Sequence, residues 1–318
     1  MRTKPERPLT SPPSPLTGST ACRPVARLAA SDLVLLYRRL RGLEVASELT
    51  ADTLTLWHDE PARFWFFDPP CAGSGRFYAD LTARPHYAAD KSEYRFAASL
   101  VNPGERLLDV GCGWGLFATH VPGVRYTGLD PSGAASAAAR ARGLDVRQDL
   151  VEEVAAREPG GYDVVTSFQV LEHLADPAAF FRGCAGCVRP GGLLVIAVPN
   201  ADSFMGVRAN NYLNYPPHHV TWWTLTSLLQ LGARHGLHAV AAHTDAAAGL
   251  ELAMSHAAVL QVGLDRLRGG RLPLVRNGTG ERLVLKGCDA VGRLLAVAGP
   301  PSPLSPPGHS LAVAFRQL

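Results

Sequence analysis

The stretch Arg106-Leu107-Leu108-Asp109-Val110-Gly111-Cys112-Gly113-Trp114-Gly115-Leu116 decides the fold. Residues 107–110 are an apolar run of strand length, and a glycine cluster ends it at once. Gly111 lets the chain turn tightly off the strand. Gly113 has no side chain, so a ligand can press against the backbone. Gly115 suits a point where strand and helix pack closely. Residues 116–120 read as a following helix whose N-terminus would favour a negative group. The spacing is G-x-G-x-G, with an acid two positions before the first glycine. A dinucleotide fingerprint G-x-G-x-x-G would need glycine at 116, where Leu116 stands.

Working outward, residues 125–129, 146–148, 164–168, 193–198, 237–242 and 311–316 read as six further strands. Helical patterns lie at 133–142, 177–188, 225–235, about 251–267 and about 281–297. Strands alternating with helices imply an α/β fold with a parallel sheet covered on both faces. Asp130 ends the second strand, 21 residues past Asp109. An acid at that distance is placed to take both hydroxyls of a ribose. Asp149 follows the third strand, at a position that suits the edge of an adenine ring. Phe168 and Gln169 end the fourth strand on the same rim, where open α/β sheets bind ligands.

Three segments flank or interrupt this pattern. Residues 1–24 are rich in Pro, Ser and Thr and read as a disordered tail. Residues 25–98 carry a helix starting at Ser31-Asp32 and a hairpin, 54–57 and 64–67, joined by Asp59-Glu60-Pro61-Ala62. Aromatics crowd residues 64–96. They either pack this region onto the main domain or form a lid with an aromatic wall, and Tyr87 and Tyr94 are its candidate substrate contacts. Residues 99–318 form the main domain, with a helical insertion at about 250–300 before the last strand. The insertion could pack on the domain, cover a pocket, form a homodimer contact or touch a membrane surface.

Composition narrows the function. With 47% hydrophobic and 19% charged residues the chain is not a disordered one. A net charge of +3, evenly spread, gives no basic patch for nucleic acid. No run approaches the roughly 20 apolar residues that span a bilayer, and no apolar signal core follows the N-terminus, so a cytoplasmic, soluble protein is expected. Six cysteines lie in unrelated contexts, and Cys184 and Cys187 form a lone C-x-x-C without the second pair of a zinc ribbon.

Together these features resemble the class I S-adenosylmethionine-dependent methyltransferases. Residues 109–115 look like their first motif. The stretch Tyr162-Asp163-Val164-Val165-Thr166-Ser167-Phe168-Gln169-Val170-Leu171-Glu172-His173 looks like their fourth, and Arg189-Pro190-Gly191-Gly192 is similar to the turn before their fifth strand. The resemblance implies a Rossmann-like, seven-stranded, mostly parallel sheet with its last strand antiparallel between the fifth and sixth. It implies S-adenosyl-L-methionine as cofactor, held by Asp109, Gly111, Cys112, Gly113 and Gly115, by Asp130 and Pro131 at the ribose, by Asp149 and Leu150 at the adenine, and by Phe168 and Gln169 on the rim. Leu171-Glu172-His173-Leu174-Ala175-Asp176-Pro177 and Pro216-Pro217-His218-His219-Val220-Thr221-Trp222-Trp223 look most like the bacterial small-molecule branch. A sugar, phenol or natural-product intermediate is the implied acceptor, methylated on O, N or C.

Methyl transfer needs the acceptor held in line behind an already activated methyl group, so positioning is the larger effect and a base the smaller. His173, His218 and His219 are the candidate bases, since imidazole titrates near neutral pH. A structural role competes for each: His173 can tie its loop to the sheet, and His218 or His219 can anchor a loop or cap the next helix. Glu172-His173 also resembles the tail of a metal-binding E-x-x-E-H segment of ubiquinone-pathway O-methyltransferases. Gln169 stands where the first acid would be, so no metal is expected. Two other readings remain: a binding module that kept the fold and lost transfer, and an NAD-dependent oxidoreductase, which the glycine spacing disfavours.

Overall fold

The computed structural model describes residues 10–82, 90–269, 274–297 and 305–317. In chain order the elements are β1 (Arg23–Ala29), α1 (Ala30–Arg41), β2 (Thr53–Asp59), β3 (Phe64–Asp68), α2 (Gly75–Thr82), α3 (Ser92–Ala98), β4 (Arg106–Val110), β5 (Arg125–Leu129), α4 (Gly133–Ala141), β6 (Val146–Arg147), α5 (Val151–Arg157), β7 (Tyr162–Phe168), α6 (Pro177–Cys187), β8 (Val188–Pro199), β9 (Thr221–Trp222), α7 (Leu225–Arg234), β10 (Leu237–Ala246), α8 (Gly249–Leu267), α9 (Thr279–Val297) and β11 (Pro307–Gln317). Local chemistry sets several boundaries. Asp176 caps α6 by accepting from the Ala179 N–H, with Pro177 at the first helical position, and Thr224 caps α7 through Ser227.

The main sheet has the order β10-β11-β8-β7-β4-β5-β6. The pairs from β8 to β6 are parallel, and β11 runs antiparallel between β8 and β10. This is the seven-stranded, mostly parallel sheet expected from the sequence, with α8 and α9 inserted before the last strand. Alternation along β8 sends Leu194, Ile196 and Val198 to one face, with Phe181 and Cys184 of α6 and Leu228 of α7. Leu193, Val195 and Ala197 go to the other, with Tyr94 and Ala97 of α3 and Phe117. Both faces are buried, so the strand reads as an unbroken apolar run.

The expected hairpin, β2 and β3, is the centre of a four-stranded antiparallel sheet, β1-β2-β3-β9. Neither outer strand is signalled in the sequence. The tail reading fails for residues 10–24: they form a turn followed by the start of β1, and Leu16 and Cys22 are buried in the main core beside Trp57 and Phe64. Apolar burial outweighs a Pro-rich composition there.

The helix expected at 116–120 is a single 3-10 turn, Phe117–His120. Pro122 stops it: the preceding Val121 sits at φ −125° and ψ 62°, outside the helical region. A four-residue turn presents no helix N-terminus, so the expected anion-favouring dipole is absent from this loop. In the insertion, α8 and α9 pack together so closely at Gly292 that a Cβ there would meet the Ala253 carbonyl oxygen at 2.4 Å. Among the described residues no helix is long and apolar enough to cross a membrane.

Candidate active site

The carboxyl end of β4 carries the first group of candidates. Asp109 is buried between β5 and β7, where its carboxylate accepts hydrogen bonds from the Tyr126 hydroxyl at 2.8 Å and the Thr166 hydroxyl at 2.9 Å. Burial raises its carboxyl to about 6, against the pull of those two donors. Tyr126 and Thr166 sit on neighbouring strands, and nothing in their local sequence marks them as partners of Asp109.

Gly111 sits at φ 74°, and a Cβ there would lie 2.3 Å from Val170 Cγ2, so both backbone and space require glycine. The N–H groups of Gly111 and Cys112 both donate to the Leu129 carbonyl, which ties the loop to β5. The Cys112 thiol faces Gly128 of β5, and burial pushes its pKa well up. Gly115 packs against Leu144 and Ala139, at the end of α4. Around Gly113 there is nothing within 4 Å of where a Cβ would stand. The turn therefore leaves an open cradle over bare backbone.

Asp130 joins this cradle. One oxygen accepts the Gly113 N–H at 2.8 Å and the other the Ser132 N–H at 2.8 Å, while Pro131 between them is exposed. Burial raises the Asp130 carboxyl, and the two N–H donors oppose the rise. Each carboxylate oxygen has a second lone pair for a ligand hydroxyl. Asp149 pairs with Arg157 of α5 at 2.6 Å, and Leu150 beside it is 54% exposed, an apolar surface on the same rim.

Phe168 is buried, with its ring 4.7 Å from Phe117 and 4.8 Å from Tyr94. Tyr94 thus packs under the rim instead of lining an open surface. Tyr87 lies outside the described residues. Gln169 holds a left-handed φ of 57°, and its side-chain amide reaches both Glu93 Oε1 and Ser310 Oγ at 3.3 Å.

Beyond Gln169 the structure brings together all three histidines. His173 ends the 3-10 turn after β7, and His218 and His219 precede β9. Two backbone bonds join the segments: Val220 N–H to the Glu172 carbonyl at 2.9 Å, and Phe67 N–H of β3 to the Val220 carbonyl at 2.9 Å. The His173 ring lies 4.7 Å from His218 and 5.0 Å from His219, and His218 stacks on His219 at 4.4 Å. Tyr78 and Phe77 of α2 cover the group, with Tyr78 5.4 Å from His173.

The expected neutral-range titration does not hold. Burial lowers His173 to about 4 and His218 to about 3, and puts His219 well below its usual value. Neither His218 nor His219 caps the next helix, since Thr224 does so. Glu172, which sequence reading placed only as a motif neighbour, is fully buried among them, and burial raises it to about 8. A cavity of about 1270 Å³ lies between the four-stranded sheet and α8, lined by Val25, Trp65, Phe204 and Val259 and by none of the sequence-predicted residues.

A family model described as a methyltransferase domain matches residues 81–242, which include the glycine turn, all three strand-end acids and the histidines. The chain belongs to this methyltransferase family. That membership agrees with the resemblance to the S-adenosylmethionine-dependent enzymes carried by residues 109–115 and 162–173.

Similar proteins include a ubiquinone biosynthesis O-methyltransferase of Xanthomonas campestris pv. campestris, 37% identical over 131 residues, covering 38% of this chain and 55% of that protein. A ubiquinone biosynthesis O-methyltransferase of Bordetella pertussis is 42% identical over 107 residues, covering 31% of this chain and 44% of that protein. The chain spans about half the length of the curated relatives it matches. A SAM-dependent methyltransferase structure from Archaeoglobus fulgidus superposes with a TM-score of 0.51 at 16% identity, over 76% of this chain and 100% of that one. It supports the fold.

Proposed function

We propose that this protein transfers a methyl group from S-adenosyl-L-methionine to a small-molecule acceptor. The observation that carries the reading is the open cradle at Gly113, closed on one side by Asp130 through the Gly113 N–H, just past the strand end at which Asp109 is buried. Asp130 would hold the ribose hydroxyls, Leu150 would lie against the flat face of the adenine with Asp149 at its edge, and the bare backbone of residues 111–113 would leave room for the amino-acid end. When bound, the cofactor supplies an activated methyl on a sulfonium.

The chain's own part is then positioning, which can remove roughly 7 to 11 kcal/mol of barrier. The acceptor would lie on the rim beside α2 and the three histidines, with its nucleophile aimed along the rim. The buried imidazoles are neutral near pH 7, so they can accept a hydrogen bond or a proton from it, as weak bases. The O-methyltransferase names of the relatives favour a hydroxyl acceptor. Cofactor binding without turnover on any acceptor would instead describe a binding module.

The test is calorimetric titration of the protein with S-adenosylmethionine, S-adenosylhomocysteine and NAD, repeated on Asp130→Ala. Binding of the two adenosyl ligands, lost in the variant, is expected. Preference for NAD, or no adenosyl binding, would overturn the reading.

A further inference from the structure

The histidine cluster is built as a metal site is built. Among the described residues, one ligating atom from each of His173, His218 and His219 lies within 4.8 Å of the other two. Each ring is held from behind. His173 Nδ1 lies 2.7 Å from the His218 carbonyl oxygen, His218 Nδ1 lies 2.8 Å from the Leu213 carbonyl oxygen, and His219 Nδ1 lies 3.3 Å from Asn214 Oδ1. Carbonyl oxygens only accept, so these nitrogens carry the protons and the Nε2 lone pairs are left for the cluster. Anchoring of one ring nitrogen by a carbonyl is how metal-ligating histidines are oriented.

A second, independent observation points to a ligand. Glu172 is 1% exposed, and its Oε1 lies 3.7 Å from His173 Nε2 and 3.9 Å from His219 Nε2. Its Oε2 has no hydrogen-bond partner. A buried carboxyl with an unpartnered oxygen is costly, and a cation drawn into the cluster beside Oε1 would offset that cost. Three imidazoles with one carboxylate suit zinc or another late transition ion, whereas magnesium and calcium favour oxygen ligands.

We propose that His173, His218 and His219, with Glu172, bind one divalent transition-metal ion of the zinc class. At a Zn–N distance of about 2.0–2.1 Å the nitrogens of a tetrahedral site stand about 3.4 Å apart. The widest histidine pair, at up to 4.8 Å, would therefore close by about 1.4 Å. Gln169, whose amide is taken up by Glu93 and Ser310, is not needed as a ligand. The ion would sit at the acceptor end of the rim. Its role there rests on the methyl-transfer reading: by taking up the Nε2 lone pairs it would replace the imidazoles as weak bases, and its positive charge would instead stabilise an acceptor oxyanion.

The test uses the full chain stripped with a chelator. Zinc chloride alone is titrated by calorimetry, and cobalt(II) is added separately while the visible d–d absorption is recorded. One equivalent of bound ion, with the strong cobalt absorption of a four-coordinate site, is expected. His218→Asn and His219→Asn should each weaken binding by about 100-fold or more, while His235→Asn, outside the cluster, should leave it unchanged. No stoichiometric binding to the wild-type chain, or affinity indifferent to the His218 and His219 variants, would overturn the proposal. S-adenosylhomocysteine is titrated in parallel. Its binding to a chain that takes no metal would leave the methyltransferase reading standing and remove only the metal site. Metal binding without it would do the reverse.

Discussion

Gly111→Ala isolates the physics of the glycine turn. An alanine at φ 74° costs about 1–2 kcal/mol in the left-handed region. Its Cβ would also stand 2.3 Å from Val170 Cγ2, and overpacking of that kind costs about 1–3 kcal/mol more. The expected loss is therefore about 2–5 kcal/mol. Gly113→Ala, at φ 52° with nothing near its Cβ, should lose only the backbone part, about 1–2 kcal/mol. Val170→Ala alone removes two methyl groups, about 1.5 kcal/mol, and in combination with Gly111→Ala it removes the clash. The double-mutant cycle should thus show a favourable coupling of about 1–3 kcal/mol. Urea unfolding of the variants, with slopes compared to confirm a common transition, measures these differences. Calorimetry on the same samples should show Gly113→Ala losing adenosyl ligands although it stays folded, because its methyl enters the cradle. Equal losses in Gly111→Ala and Gly113→Ala, or no rescue by Val170→Ala, would refute this account of the turn.

The remaining predictions concern buried groups away from the histidines. Because Asp109 is raised from 3.8 to about 6 in the fold, its contribution to stability is full below about pH 4 and is lost as pH rises through about 6. At about 1.36 kcal/mol per pKa unit the group costs about 3 kcal/mol by pH 7. Asp109→Asn should therefore flatten the stability profile between about pH 4 and pH 7, and parallel profiles would contradict the burial of this carboxyl. Leu16→Ala should cost about 2–4 kcal/mol in a melt, and a loss near zero would restore the reading of residues 10–24 as a loose tail. Arg276 forms a buried ion pair with Asp265. Arg276→Met should cost about 3–5 kcal/mol, and replacing both partners by apolar residues far less; equal costs in urea unfolding would argue against the pair.

Much of the main sheet was legible because its signals are local. A strand buried on both faces must be apolar throughout, as at residues 193–198, and a chain leaving such a strand into a tight turn must pay in glycine, as at Gly111. The acids at 109 and 130 stand at strand ends whose order follows from short right-handed crossovers. The 3-10 turn was also within reach, since Pro122 stands seven residues past Gly115. By contrast, β9 has only two residues, and β1, although seven residues long, alternates too little to announce itself; they pair with the edges that β3 and β2 offer.

The sequence by itself determined the glycine turn, the strand-end acids and the α/β sheet, because sterics and side-chain periodicity act between neighbours in the chain. Only the tertiary structure decided that His173 meets His218 and His219, that Glu172 is buried among them with one carboxyl oxygen unpartnered, and that Asp109 hangs from Tyr126 and Thr166. These contacts join segments tens of residues apart. Burial then shifts the imidazoles and carboxyls away from their ordinary pKa values, which no local pattern of residue types records.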